Sequence, residues 1–254
     1  MNRLVAVVGS ANLDITVTAN RRPHDGETLT GSALSEVAGG KGARLQAANV
    51  DTSHLQTSPL PTGRAFITVT PDGENSIIVL PLANADIDGA CVTAALNELQ
   101  PTVVLTQLEV PFDAVLAASR WASAHDARFL LNPSPIAELS DELLTNADPL
   151  IVDRGEAEAI LKRSGTTHEL ARELAKRTRS VIVADGRHGA VTAQGETITT
   201  IPAPRVTPVD TTGAGDCFAG TVAAHLATGE ELTTAAEHAT LVAARIVQLA
   251  RSER

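Results

Sequence analysis

Leu4-Val5-Ala6-Val7-Val8-Gly9 is a short apolar run, rich in β-branched residues, that stops at a glycine. It reads as a buried strand. Comparable runs recur at residues 102–105, 128–131, 150–152 and 180–184. Helical patterns lie between them, at 88–99, 112–124, 155–163 and 168–178. Residues 215–249 form a long, Ala-rich and mostly helical stretch. Strand, helix, strand at this spacing argues for βαβ units and a parallel sheet covered by helices. The expected class is α/β, with three αβα layers around a mainly parallel central sheet.

Two regions break the rhythm. Residues 14–37 alternate polar and apolar side chains around Pro23-His24-Asp25-Gly26, and residues 62–80 do so around Pro71-Asp72-Gly73-Glu74. Alternation predicts half-exposed antiparallel strands. Together they make a small sheet beside the crevice at the carboxyl ends of the parallel strands, placed as a lid over a ligand. No internal repeat or low-complexity linker interrupts the chain, so 1–254 reads as one domain with a lid.

Composition narrows the function. With four Phe, one Trp and no Tyr, the core of this 254-residue chain must be built from Val, Leu, Ile and Ala. A net charge of −10 argues against nucleic acid as a partner. The same charge means that an anionic nucleotide needs local help from backbone N–H groups, a metal ion or a few placed cations. Cys91 and Cys217 have neither metal-ligand spacing nor a disulfide framework, which fits a reducing compartment. The first residues lack the long apolar stretch of a signal peptide, and no run is long enough for a membrane span. A cytoplasmic protein is expected.

Three stretches could carry chemistry. In Asp210-Thr211-Thr212-Gly213-Ala214-Gly215-Asp216, small residues precede an Ala-rich helix. Glycines let the backbone approach a ligand, and a helix N-terminus offers free N–H groups, together an anion hole for a phosphoryl group. Asp216 in the first turn could accept the proton of an attacking hydroxyl. Read alone, it is equally a helix-capping aspartate. Gly39-Gly40-Lys41-Gly42 before a helical pattern offers close backbone approach and one cation, but it is neither a Walker loop nor Gly-x-Gly-x-x-Gly, and by itself is a turn. Asn12 and Asp14, two apart just past the first strand, face one way if that segment is extended and could grip two hydroxyls; turn chemistry is the plainer reading.

In combination and order, these motifs resemble the ribokinase-like carbohydrate kinases of the PfkB family. Gly9-Ser10-Ala11-Asn12-Leu13-Asp14 is followed by Gly26-Glu27-Thr28, Gly39-Gly40-Lys41-Gly42, Gly73-Glu74-Asn75 with Ala83-Asn84, Gln107-Leu108-Glu109, Asn132-Pro133 and finally 210–216. The resemblance implies Asp216 as catalytic base, with Gly213, Ala214 and Gly215 as anion hole. It implies Asn12, Asp14, Gly40, Lys41 and Glu109 as sugar contacts. Gly186 and Gly189 match the nucleotide loop, and His238 falls near the adenine. Glu156 matches a glutamate that organises Mg2+, and Asp210 and Thr212 lie beside a K+ loop. It further implies ATP and Mg2+, K+ as a candidate activator, and a homodimer through the lid.

This chain departs from the pattern at four places. Asp153 stands where the family has Asn, and Arg44 stands where ribokinases place a sugar-contacting Asn. Ala47-Ala48 runs almost directly into Asn49-Val50-Asp51, so about one βαβ unit, roughly 30 residues, is expected to be missing. The sequence also stops at Ser252-Glu253-Arg254, short of a Gly-containing loop that completes the cation and adenine sites in the family. The expected activity is ATP-dependent phosphorylation of a hydroxyl on a ribose-like pentose. The alternatives are a nucleotide- or sugar-binding pseudokinase, and a kinase for a sugar phosphate or a nucleoside, for which Phe66 and Phe112 would be stacking candidates. A Rossmann dehydrogenase fits poorly, because the first strand is not followed by Gly-x-Gly-x-x-Gly.

Overall fold

A computed structural model describes residues 3–44, 51–71 and 75–249. In chain order the elements are β1 (Val5–Val8), β2 (Asn12–Thr18), β3 (Ala33–Gly39), α1 (Lys41–Arg44), β4 (Gly63–Val69), β5 (Asn75–Leu80), α2 (Gly89–Leu99), β6 (Val103–Gln107), α3 (Phe112–Ala124) and β7 (Arg128–Asn132). There follow α4 (Asp141–Asn146), β8 (Ala147–Asp153), α5 (Arg154–Leu161), α6 (Thr167–Leu174), β9 (Val181–Ala184), β10 (Ala190–Gln194), β11 (Thr197–Ile201), α7 (Ala214–Ala227) and α8 (Leu232–Ile246).

Among the described residues the central sheet has seven strands in the order β1-β6-β7-β8-β9-β10-β11. The first five run parallel, and β10 and β11 close the far edge as an antiparallel hairpin. Both faces are covered, so strand residues are buried whichever way they point. Val103, Leu105, Leu130, Ile151 and Ile182 pack under α7 and α8. Val104, Phe129, Leu131, Leu150 and Val183 pack under α2 to α6. This makes the three αβα layers expected from the sequence. With Phe129 the only aromatic among the largest fully buried side chains, aliphatic residues do fill the core. α7 and α8 meet the sheet and each other through Ala219, Ala223, Ala235, Ala236 and Ala239, whose small side chains allow close approach. β1 is the other edge strand. Its residues are mostly half-buried, whereas every residue of its neighbour β6 is buried. The expected missing unit near Ala48-Asn49 lies outside the described residues.

The second sheet has four strands in the order β3-β2-β4-β5. It was expected to be antiparallel, but β2 and β4 pair in parallel, so the sheet is mixed. The reason is connectivity: β2 turns back into β3, and the chain then re-enters on the other side of β2. One face is covered, with Asn12, Asp14, Ala65 and Ile67 buried. The other carries Val17, Leu34, Phe66, Ile78 and Leu80, all exposed. The mostly helical character expected of the last stretch is borne out. The stretch 215–249 is two helices, because Gly229 (φ +88°) turns the chain between α7 and α8. The hairpin β10–β11 and the short helix α4 had not been expected.

Candidate active site

The carboxyl ends of the parallel strands gather the sequence motifs. Gly9 and Ser10 follow β1, Gln107 ends β6 with Glu109 just beyond, Asn132 ends β7 and Asp153 ends β8. This is the rim where open α/β sheets bind ligands.

Ser10, Asn12, Lys41 and Glu109 form one hydrogen-bonded group. Ser10 Oγ donates to Glu109 Oε2 at 2.5 Å, and Asn12 Nδ2 donates to the same oxygen at 3.3 Å. The Lys41 backbone N–H donates to Ser10 Oγ (3.0 Å) and Glu109 Oε2 (3.3 Å). Asn12 and Asp14 are extended, two apart on β2, and both buried on the covered face. They share one face, as the spacing implied. β3 passes so close behind Asp14 that a Cβ on Gly39 would lie 2.1 Å from its carboxylate. Gly40 then takes φ +90°, and a side chain there would meet the Asn12 backbone N at 2.7 Å. The Gly-Gly pair is therefore what lets the Lys41 turn lie on the end of β1.

Two members of this group, Ser10 and Asn84, stand in the quoted motifs but carry no role from the sequence. Asn84 is buried in a 3-10 turn after β5. Its Nδ2 donates to Asn12 Oδ1 (2.8 Å) and to the Ala11 carbonyl (3.1 Å), and its Oδ1 accepts from the Ala11 N–H (2.9 Å). Asn84 thus fixes which way the Asn12 amide points. Its only signal in the sequence was its place in the Ala83-Asn84 pair.

Asp216 comes from the opposite side. Gly213, in the left-handed region at φ +76°, is the N-cap of α7, so Asp216 is the third helical residue and does not cap the helix. It is buried, and its Oδ1 lies 3.5 Å from Lys41 Nζ. The amides of Ala214 and Gly215 stand in the first turn of the helix, and the Ala214 N–H donates to the Thr211 carbonyl at 3.2 Å. Upstream, the Thr212 N–H donates to Asp210 Oδ1 at 2.8 Å, which folds the entry loop on itself.

Asp153 and Glu156 form a capping box at the start of α5. Asp153 Oδ1 accepts from the Glu156 N–H (2.7 Å), and Glu156 Oε2 accepts from the Asp153 N–H (2.9 Å). The Asp153 departure therefore has a structural role, as an Asn there would. Burial pushes the Glu156 carboxyl above the usual carboxylate range, against the opposing pull of the Asp153 N–H; the Asp153 charge adds to the rise, while Ser134 and Lys41 oppose it. Gly186 and Gly189 bracket a 3-10 turn at the end of β9. His238 lies on α8 with its ring stacked on His225, the centroids 4.2 Å apart. Phe66 points to the exposed face of the small sheet, away from Asn12 and Asp14, and Phe112 opens α3 at the surface.

The chain is 31% identical to a ribokinase of Bacillus subtilis, over 92% of this chain and 89% of that one. It is also 31% identical to a ribokinase of Staphylococcus aureus, over 89% and 87%. Both alignments run longer than this chain, 265 and 264 positions against 254 residues, so the relatives carry residues with no counterpart in it. A solved ribokinase structure from Thermotoga maritima superposes with a TM-score of 0.86 at 28% identity, covering 97% of this chain and 93% of that one. The model of the pfkB family of carbohydrate kinases matches residues 43–252, and the chain belongs to that family.

Proposed function

We propose that the chain transfers the γ-phosphoryl group of ATP to a hydroxyl of a ribose-like pentose. The observation that carries this reading is the meeting of Lys41 and Asp216, 175 residues apart in sequence, at 3.5 Å beside the Ser10–Asn12–Glu109 group. Asp216 takes the proton of the acceptor hydroxyl as its oxygen attacks phosphorus in line with the leaving ADP oxygen. The amides of Gly213, Ala214 and Gly215 receive the phosphoryl oxygens at the positive end of α7. Asn12, Asp14, Gly40, Lys41 and Glu109 hold the sugar, with Asn84 orienting Asn12. Gly186 and Gly189 leave room for the nucleotide. Closure of the four-stranded sheet as a lid excludes water from the transfer.

Mg2+ fits the residues present. Glu156 is a carboxyl whose ionised form suffers from burial and from Asp153 beside it, and a hard divalent cation relieves both. Glu156 and Asp153 would hold it, and the ion when bound neutralises phosphate charge. Asp210 and Thr212 are the residues proposed to border a K+ site.

The acceptor is a sugar and not a nucleoside. Phe66, a candidate stacking wall, faces outward, and the two curated relatives described above are ribokinases. A coupled ADP-release assay across pentoses, hexoses, sugar phosphates and nucleosides, with and without Mg2+ and K+, tests the reading. The expected result is the highest kcat/KM with ribose and no turnover without Mg2+. Turnover confined to nucleosides, or none with any acceptor, would overturn it.

The exposed apolar face of the four-stranded sheet supports a homodimer through the lid, since Leu34, Phe66, Ile78 and Leu80 gain most by being covered. Light scattering should give a dimer for the native chain and a monomer for Phe66→Lys/Ile78→Lys. The exposed, unbridged Cys91 supports a cytoplasmic location, and no helix among the described residues is long and apolar enough to cross a membrane.

A further inference from the structure

The far end of α7 gathers three side chains, of which the family resemblance gives a place only to His238, near the adenine. His225 lies in the last turn of α7, Glu230 in the turn to α8, and His238 in the second turn of α8. His225 and Asp216 are nine positions apart on one helix, about 13 Å at 1.5 Å per residue. His225 Nδ1 is 3.0 Å from Glu230 Oε1, and His238 Nε2 is 3.8 Å from Glu230 Oε2. One ligand atom from each of the three lies within 4.8 Å of the others, the one such group of His, Cys or carboxylate side chains among the described residues.

We infer that His225, Glu230 and His238 bind a divalent transition ion of the Zn2+ type, which clips the end of α7 to α8. Two imidazole nitrogens with one carboxylate oxygen form a donor set that suits Zn2+ and its neighbours and not Mg2+ or Ca2+, which take oxygen ligands. A second observation points the same way. Although the Glu230 side chain is 36% exposed, its Oε2 is itself shielded from solvent and accepts no hydrogen bond, with His238 Nε2 3.8 Å away. A buried oxygen without a donor carries an uncompensated desolvation cost, and a coordinated cation removes it. The backbone supports a cation as well, because the last carbonyls of α7 give this end its negative partial charge.

Ligands at about 2.0–2.2 Å from a tetrahedral Zn2+ stand roughly 3.3–3.5 Å apart, so the group needs only a small closing movement. The two rings are nearly parallel, at 6°, and one must leave the stack to aim its nitrogen at the ion. His238, with 48% of its side chain exposed, has the freedom to do so. Three protein ligands leave a fourth position for water.

The test is calorimetric titration of Zn2+ into the full chain with Mg2+ in excess, so that oxygen-only sites are already filled. One Zn2+ per chain is expected, together with a Zn2+-dependent rise in Tm. His238→Ala, Glu230→Gln and His225→Ala should each weaken binding by at least about tenfold, since even residues that only support a metal ligand cost 10–100-fold when lost. His238→Ala is the decisive variant because its side chain is half-exposed, and circular dichroism without metal checks its fold. No Zn2+ uptake by the native chain, or uptake that survives His238→Ala within about twofold, would overturn the inference.

Discussion

The two ends of α7 face opposite electrostatic demands. At its start, the positive end of the helix and the left-handed Gly213 suit an anion, yet the side chain buried there is the carboxylate Asp216, held beside Lys41. At its end, carbonyls and Glu230 gather two histidines. The first end is drawn mainly from one contiguous motif, and only Lys41 comes from far away. The second is drawn from a helix, a turn and the next helix. A ligand site built on a tight loop leaves a sequence signature, whereas one assembled from successive helical turns leaves none.

The comparison breaks first at Asp216. Asp216→Asn should lower kcat by about 10²–10⁴-fold, the usual worth of a general base, while Tm changes little because the amide keeps the shape of the carboxylate. A variant with near-native ATP-dependent turnover would remove Asp216 as the base. Next comes the support behind the sugar contacts. Asn84→Ala leaves the buried Asn12 amide without one partner, at a cost of about 1–3 kcal/mol. Steady-state kinetics should show KM for the sugar rising roughly tenfold or more, with a smaller change in kcat; an unchanged KM would mean that Asn84 does not position Asn12.

Smaller effects sharpen the contrast through pH. Glu156 has a folded pKa raised above its unfolded value, chiefly by burial. Its protonated form is the one the fold prefers, so stability is lost as pH rises from the ordinary carboxylate value through the raised one. Glu156→Gln should remove that loss in urea melts across pH, and should raise the Mg2+ concentration needed for activity. Glu230 is shifted the other way, first by the hydrogen bond from His225. Its contribution is present above the unfolded carboxylate pKa and lost as pH falls through the lower folded value. Glu230→Gln should therefore flatten the acid limb of stability slightly, without touching the limb that Glu156 controls.

The central sheet was legible because its strands are buried on both faces. The runs at 4–8, 102–105, 128–131, 150–152 and 180–184 each fall on a strand of the parallel set. The second sheet was legible as alternation, but its pairing was not, since alternation is the same for parallel and antiparallel neighbours. The hairpin β10–β11 was missed although Gly195, at φ +57°, marks its turn. Its strands follow βαβ units, and the βαβ rhythm gives no sign of an antiparallel edge. At the site, Asn12, Lys41, Glu109 and Asp216 were named from motifs and are brought together by the fold. Asn84 stands in the motif series without a role, and the partnership of His225 with Glu230 and His238 leaves no motif, because only packing puts them next to their partners.

β1 and β6 pair with Val5 opposite Val103, so the whole four-stranded sheet lies in the chain between them. During synthesis β1 must wait for β6, its one neighbour in the central sheet among the described residues, roughly 5–20 s at 5–20 residues per second. Ser10 waits equally long for Glu109, 99 residues downstream. The half of the site carried by the N-terminal strand is thus made early and assembled late, and closing so long a loop is entropically slow. Any event that stalls or cuts the nascent chain before residue 103 leaves an apolar strand with no place in the sheet.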